Sequence, residues 1–124
     1  MQLISPEKIF RGNNAWVESL TQIKKISKRP LVLGRSLSTK EIRHQIYKDL
    51  QDHHFHIITS NLQFDCCYED LERIERIIIK NNCDSIIAVG GGKVLDAGKF
   101  LADFLSIPAI TIPLSASTCA GCLL

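Results

Sequence analysis

The chain has 124 residues, a formal net charge of +2, 45% hydrophobic residues and 23% charged residues. That length supports a single domain, 1–124, with one real core. So small a charge excludes the electrostatic footprint of a nucleic-acid or membrane-surface binder, and neither partner is expected. No apolar run reaches transmembrane length, and the N-terminus has no basic segment leading into an apolar one, so no signal peptide is expected. The five cysteines, Cys66, Cys67, Cys83, Cys119 and Cys122, are odd in number and include an adjacent pair. That pattern argues against a secreted disulfide framework and for reduced thiols in a cytoplasmic protein.

Residues 3–11 read as a short strand or an extended lead-in. Asn13 or Asn14 caps a helix starting near Ala15, with a stripe of Trp16, Leu20, Ile23 and Ser27 flanked by Val17 and Ile26. Pro30 stops that helix and opens a short buried strand, Leu31–Gly34. Ser38 and Glu41 have the spacing of a capping box, and Ile42, Ile46 and Leu50 mark the helix behind it. Phe55–Thr59 is the next strand. Asp65 caps a third helix whose stripe is Leu71, Ile74, Ile77 and Ile78, ended by Asn81 and Asn82.

A strand follows over 85–89, then the glycines Gly90, Gly91 and Gly92, then a helix over about 92–105 with Leu95, Gly98, Ala102 and Leu105 on one face. Gly98 in mid-helix costs about 1 kcal/mol against alanine, which close packing on a neighbouring strand would offset. A last strand over 108–112 leads into a polar loop, Pro113–Thr118. Strands and helices alternate, and the strands read as apolar on both faces. The expected fold is α/β, a Rossmann-like parallel sheet with helices on both faces. Ligands in such sheets bind at the carboxyl ends of the strands, where Gly34-Arg35, Gly90–Lys93 and Pro113–Thr118 would face one crevice.

A buried strand, a glycine turn and a helix N-terminus make an anion site. The glycines admit close backbone approach, the helix dipole favours negative charge, and Lys93 adds a point charge. The turn is neither a Walker A loop nor the G-x-G-x-x-G fingerprint, and a plain strand-to-helix turn with a solvated Lys93 is the competing reading. Asp96 and Lys99 have the spacing of a surface ion pair. His53, His54 and His56 straddle a helix end and a strand start, which reads as a polar strand entrance rather than a metal site. Cys119 and Cys122 match C-x-x-C but are followed by too little chain for the helix a redox motif opens.

Gly90-Gly91-Gly92-Lys93-x-x-Asp96-x-x-Lys99, followed by Pro113-x-x-Ala116-Ser117-Thr118, resembles the N-terminal half of the iron-containing alcohol dehydrogenase superfamily, and its glycerol dehydrogenase branch in particular. The resemblance runs from Arg11-Gly12 to Thr118. It implies a cofactor domain holding NAD or NADP in an interdomain cleft. Gly90, Gly91, Gly92, Lys93, Val94 and Leu95 would lie around the pyrophosphate, and Leu114, Ser115, Ser117 and Thr118 along the nicotinamide side. It also implies a helical domain, not contained in this sequence, whose Asp and His residues hold Zn²⁺ or Fe²⁺, so that no metal ligand and no catalytic residue is expected here.

Three departures from the family pattern bear on function. The sequence stops where the first domain stops. Cys119 stands where glycerol dehydrogenases carry an Asp that contacts substrate, and Gly121 replaces the usual Pro, which puts glycerol in doubt. Arg35 stands where many members carry an Asp that selects NAD, and an arginine there can accept a 2′-phosphate. The expected function is the cofactor-binding portion of a metal-dependent NAD(P) oxidoreductase of alcohols or polyols, homo-oligomeric and inactive as this chain alone. A truncated non-catalytic nucleotide-binding module, or a fragment of a dehydroquinate synthase-like or glycerol-1-phosphate dehydrogenase-like enzyme, stands as the alternative.

Overall fold

The computed structural model describes residues 2–5, 8–9, 14–35, 37–63 and 67–114, without the side chains of Gln2 and Ser38. In chain order its elements are β1 (Gln2–Leu3), α1 (Asn14–Ile26), β2 (Pro30–Gly34), a 3-10 turn (Leu37–Thr39), α2 (Lys40–Asp52), β3 (Ile58–Asn61), α3 (Tyr68–Lys80), β4 (Ser85–Gly90), α4 (Gly92–Leu105) and β5 (Ala109–Pro113). The strands form one five-stranded sheet in the order β1-β5-β4-β2-β3, with every pairing parallel. The most apolar run of the sequence, β4, is therefore the middle strand, buried along its whole length.

This strand order dictates which face each helix covers. The steps β1 to β2 and β2 to β3 move one way across the sheet; β3 to β4 and β4 to β5 move the other way. Right-handed crossovers then put α1 and α2 on one face and α3 and α4 on the other. The two cores agree. Trp16, Leu20, Ile23, Ile42, Ile46 and Leu50 pack on Val32, Ile87, Val89, Ile110 and Ile112. Ile74, Ile78, Val94, Ala97, Leu101 and Ala102 pack on Leu31, Leu33, Ile86, Ala88 and Ala109. No helix among the described residues is long and apolar enough to cross a membrane.

Several local expectations shift. The third strand starts at Ile58, not Phe55, because residues 55–57 are used to cross from helix to sheet. The Phe55 amide donates to the Leu50 carbonyl, its ring is buried under the Lys24 ammonium, and the His56 amide donates to the Lys28 carbonyl. β3 is an edge strand, half-buried with alternate residues exposed, rather than apolar on both faces. The N-cap of α2 is Thr39 rather than Ser38, and no side chain caps it. Cys67 is the N-cap of α3, and Asp65 lies outside the described residues. On α4 the buried face is Val94, Ala97, Gly98, Leu101 and Ala102, with Leu95 and Leu105 only at its margin.

Gly98 packs as its composition suggested. A Cβ built there would lie 2.7 Å from the Cβ of Ala88 on β4, so the helix approaches the strand as closely as backbones with one methyl between them allow.

At the opposite end of the sheet from the glycine turn, Asp84 binds the entrance of β2 to that of β4. It accepts hydrogen bonds from the Ser27 hydroxyl at 2.6 Å and the amides of Lys28 at 2.9 Å and Arg29 at 3.1 Å. Burial pushes its carboxyl upward, but the Ser27 hydroxyl and the two amides outweigh burial and hold it below the usual carboxylate value. A depressed folded value means the carboxylate stabilises the fold above the unfolded value, about pH 4, and that this contribution is lost as pH falls through the folded value. Urea unfolding of Asp84→Asn should thus show a deficit at neutral pH that closes in acid. A deficit independent of pH would mean that the charge contributes nothing.

Candidate functional site

The crevice arises where the sheet changes direction. Registered pairs between β2 and β4 end at Leu33–Ala88, whereas β2 runs on with β3 to Gly34–Asn61 and β4 with β5 to Gly90–Pro113. The Gly34 carbonyl accepts from the Leu62 amide at 2.9 Å, and the Gly90 carbonyl from the Leu114 amide at 2.8 Å. Each strand thus stays tied to its outer neighbour while the two inner ones part. Such a topological switch point is where open α/β sheets bind ligands. The opening has a volume of about 590 Å³ and is lined by Arg35, Thr39, Leu62, Gln63, Val89, the glycines 90–92, Lys93 and Val94.

The three glycines differ in what the fold asks of them. Gly90 has φ 148°, a conformation other residues rarely adopt, and a Cβ there would lie 3.2 Å from a Val94 methyl. Gly91, the N-cap of α4, has φ −80° and ψ −174°, ordinary extended backbone, and a Cβ at Gly91 or Gly92 would meet nothing within 4 Å. The chain's own atoms therefore explain Gly90 but neither of the next two. The space a Cβ would fill at 91 and 92 lies open at the N-terminus of a helix with no side-chain cap. The Leu95 amide makes the first helical hydrogen bond, to Gly91, so the amides of Gly92 and Val94 belong to the turn that has no intrahelical acceptor. With the positive end of the helix dipole there, the residues fit a bound phosphate.

Of the candidate residues, Arg35, Gly90, Gly91, Gly92, Lys93 and Val94 come together at the crevice. Val94 contributes there although its side chain is largely core. Leu95 and Leu114 do not line it. Leu95 lies at the half-buried margin of the α4 face and spends its amide on Gly91; Leu114 is buried in the core on the opposite face of the sheet. Ser115, Ser117, Thr118, Cys119, Gly121 and Cys122 lie outside the described residues.

Four lining residues carry no motif: Thr39, Leu62, Gln63 and Val89. Leu62 and Gln63 follow the carboxyl end of β3, in a loop whose position beside the crevice is legible in the sequence but whose residue types single out neither of them as a ligand group. His53, His54 and His56 sit at the amino end of β3, away from the crevice. The described residues hold no group of three His, Cys, Asp or Glu side chains that could take a metal ion, so they do not fit one. Cys83 is a buried free thiol, pushed above its usual value by burial and by the neighbouring Asp84 carboxylate, and so poorly reactive.

A buried carboxylate holds the Gln63 wall in place. Asp70 on α3 accepts from the Gln63 amide at 2.7 Å and from Arg73 at 2.6 Å, and Arg73 donates also to the Asn61 carbonyl at 2.6 Å. The Asp70 side chain is fully buried and that of Arg73 is 34% exposed. Asp70→Ala would leave the part-buried Gln63 amide without its acceptor while Arg73 rehydrates. The expected loss is therefore about 2 kcal/mol, below the 3–5 kcal/mol of a fully buried ion pair. Urea denaturation measures it, and a loss under about 0.5 kcal/mol, the usual scatter of surface substitutions, would show that the clamp is dispensable.

Fold and crevice together define a class: an open, doubly wound parallel α/β domain whose pocket lies at its switch point beside a glycine turn. The family model for iron-containing alcohol dehydrogenase matches residues 6–123, and the chain belongs to that family. It is 28% identical over 118 residues to a glycerol dehydrogenase of Escherichia coli, covering 95% of this chain and 32% of the relative. It is 29% identical over 116 residues to a glycerol-1-phosphate dehydrogenase [NAD(P)+] of Nitrosopumilus maritimus, covering 94% and 31%. Among solved structures, glycerol dehydrogenase from Schizosaccharomyces pombe superposes with a TM-score of 0.72 at 19% identity, over 90% of this chain and 27% of that one. At that identity the likeness concerns the fold. The chain spans about a third of the length of these two curated relatives.

Proposed function

We propose that this chain is the dinucleotide-binding portion of an alcohol or polyol oxidoreductase, with NAD or NADP as the cofactor that accepts or delivers hydride. The carrying observation is the pair Gly91 and Gly92, whose missing side chains leave an open cradle at a helix N-terminus that no contact within the chain requires. In this reading the amides of the first turn of α4 hold the pyrophosphate, and Lys93 supplies charge at the rim. Leu62 and Val89 give an apolar wall, and Gln63 offers both a donor and an acceptor to the adenosine half. A pocket of mixed apolar walls and few polar groups suits a nucleotide.

Family membership supports an alcohol or polyol as the substrate of the parent protein, and the relatives that carry glycerol or glycerol 1-phosphate in their names support a small polyol. The cytoplasm and a homo-oligomer belong to the same proposal. Phe100 and Phe104, stacked and exposed on α4, support self-association as an apolar patch.

The direct test is calorimetric titration of the folded 124-residue chain with NAD⁺ and with NADP⁺. Saturable binding of at least one is expected. Absence of heat and of saturation with both would overturn the reading.

A further inference from the structure

The sheet has two edges, and they are not alike. β1 is only two residues long. β3 runs over four in unbroken register with β2, and contains no proline and no charged residue to discourage a further strand. The amides of His56 and Leu62 donate to the Lys28 and Gly34 carbonyls, so the even-numbered residues of this segment bond toward β2. Alternation turns the amide and carbonyl of Ile57, Thr59 and Asn61 outward. Arg73 of α3 takes the outward carbonyl of Asn61 at 2.6 Å. Among the described residues none bonds to the outward groups of Ile57 and Thr59.

Beside that open stretch a groove of about 730 Å³ lies between β3 and α2. Its floor is Tyr47 and Ile57, both packed on the core, and its rim is His44, Lys48 and Gln51. We propose that this edge and groove bind an extended acidic segment of another protein, which pairs with β3 as a further strand of the sheet. Backbone pairing at Ile57 and Thr59 supplies affinity, and alternate side chains of the incoming strand fall over the groove. An apolar side chain matches Tyr47 and Ile57. An acidic one matches the rim, whose described lining holds Lys48 and His44 and no carboxylate. Lys48 has no ion-pair partner among the described residues, so its charge is available.

Charge also decides against a second copy of this chain as the occupant. None of its described strands carries an acidic residue. Pairing β3 with its own twofold copy would put both α2 helices on one face of the joint sheet, with Lys48 and His44 of each copy along the same seam.

The test is a titration, by fluorescence anisotropy, of the 124-residue chain into a labelled hexapeptide of alternating valine and glutamate, blocked at both ends. The same peptide with lysine in place of glutamate is the control. The acidic peptide should bind saturably and at least about tenfold more tightly than the basic one. Lys48→Glu should weaken it at least about tenfold. Thr59→Pro removes an outward donor while sparing the ladder to β2, so the chain should still melt cooperatively and bind about fivefold more weakly or worse. Hydrogen exchange of the unaltered chain gives a readout that needs no variant: saturating acidic peptide should slow exchange of the Thr59 amide at least about tenfold. No saturable binding of the acidic peptide, equal binding of the basic one, undiminished binding by folded Thr59→Pro, or unchanged exchange at Thr59 overturns the proposal. Dimerisation of the chain that Thr59→Pro abolishes also overturns it and gives the edge to a second copy. No residue of this groove lines the crevice, so the outcome is independent of the dinucleotide reading.

Discussion

Gly91→Val should weaken dinucleotide binding roughly 100-fold, about 2.7 kcal/mol, while lowering the melting temperature by no more than about 4 °C. The structure separates the two effects. Gly91 has extended backbone angles open to any residue, and a Cβ there touches nothing within 4 Å. The folded chain has no steric objection to valine, and the cost to the fold is that of replacing a tolerated N-cap by a poor one, about 1 kcal/mol or less. A phosphate seated on the first turn of α4 would meet the new methyls directly. Gly90→Ala supplies the contrast. Its φ of 148° and the nearby Val94 methyl make any side chain there strained, at a cost of about 1–3 kcal/mol to the fold. Thermal melting and calorimetric titration of both variants measure the two quantities separately. Equal proportional losses of stability and affinity in Gly91→Val would mean that the glycine serves the turn alone.

Gly98→Val should be the most damaging single substitution considered, with a loss of about 3 kcal/mol or more and a melting temperature lower by about 10 °C. Helix propensity argues the other way, since glycine is the worst ordinary residue for a helix interior by about 1 kcal/mol. Packing decides the sign. The added Cβ would stand 2.7 Å from the Ala88 Cβ, with an Ile86 methyl at 3.6 Å, and both belong to the central strand. Neither can swing aside, so α4 must lift from the sheet and part from the core around Leu101 and Ala102. Removing the obstacle tests the explanation. Ala88→Gly in the Gly98→Ala background should recover part of that variant's loss, with a coupling of at least 0.5 kcal/mol between the two sites in a double-mutant cycle. Strict additivity would place the damage elsewhere.

The crevice is polarised in a way that bears on both experiments. Its floor comes from the buried end of the middle strand and the exposed start of α4, which Val94 anchors in the core. Its outer wall, Leu62 and Gln63, hangs on the edge strand and on the Asp70 clamp. A ligand held mainly by the glycine turn should survive loss of the clamp with a modest fall in affinity.

What the sequence by itself determined about this protein was whatever depends on local pattern. Apolar runs bounded by Pro30, Gly34 and Gly90 announce parallel strands because a strand covered on both faces needs no polar side. The stripes Trp16-Leu20-Ile23, Ile42-Ile46-Leu50 and Ile74-Ile78 announce helices because a helix buries one face. The glycine turn, its lysine and the later Ala116-Ser117-Thr118 pattern announced the family. Tertiary structure decided what depends on neighbours distant in the chain. Which strands are adjacent, and hence where the sheet reverses, is set by crossovers of many residues, so the parting of β2 from β4 has no local signature. The edge strand β3 was read three residues early because its ladder partner, not its own polar Thr59, Ser60 and Asn61, makes it a strand. The roles of the glycines divide for the same reason: which of Gly90, Gly91 and Gly92 the fold itself requires is fixed by one dihedral angle and by the empty space around the other two.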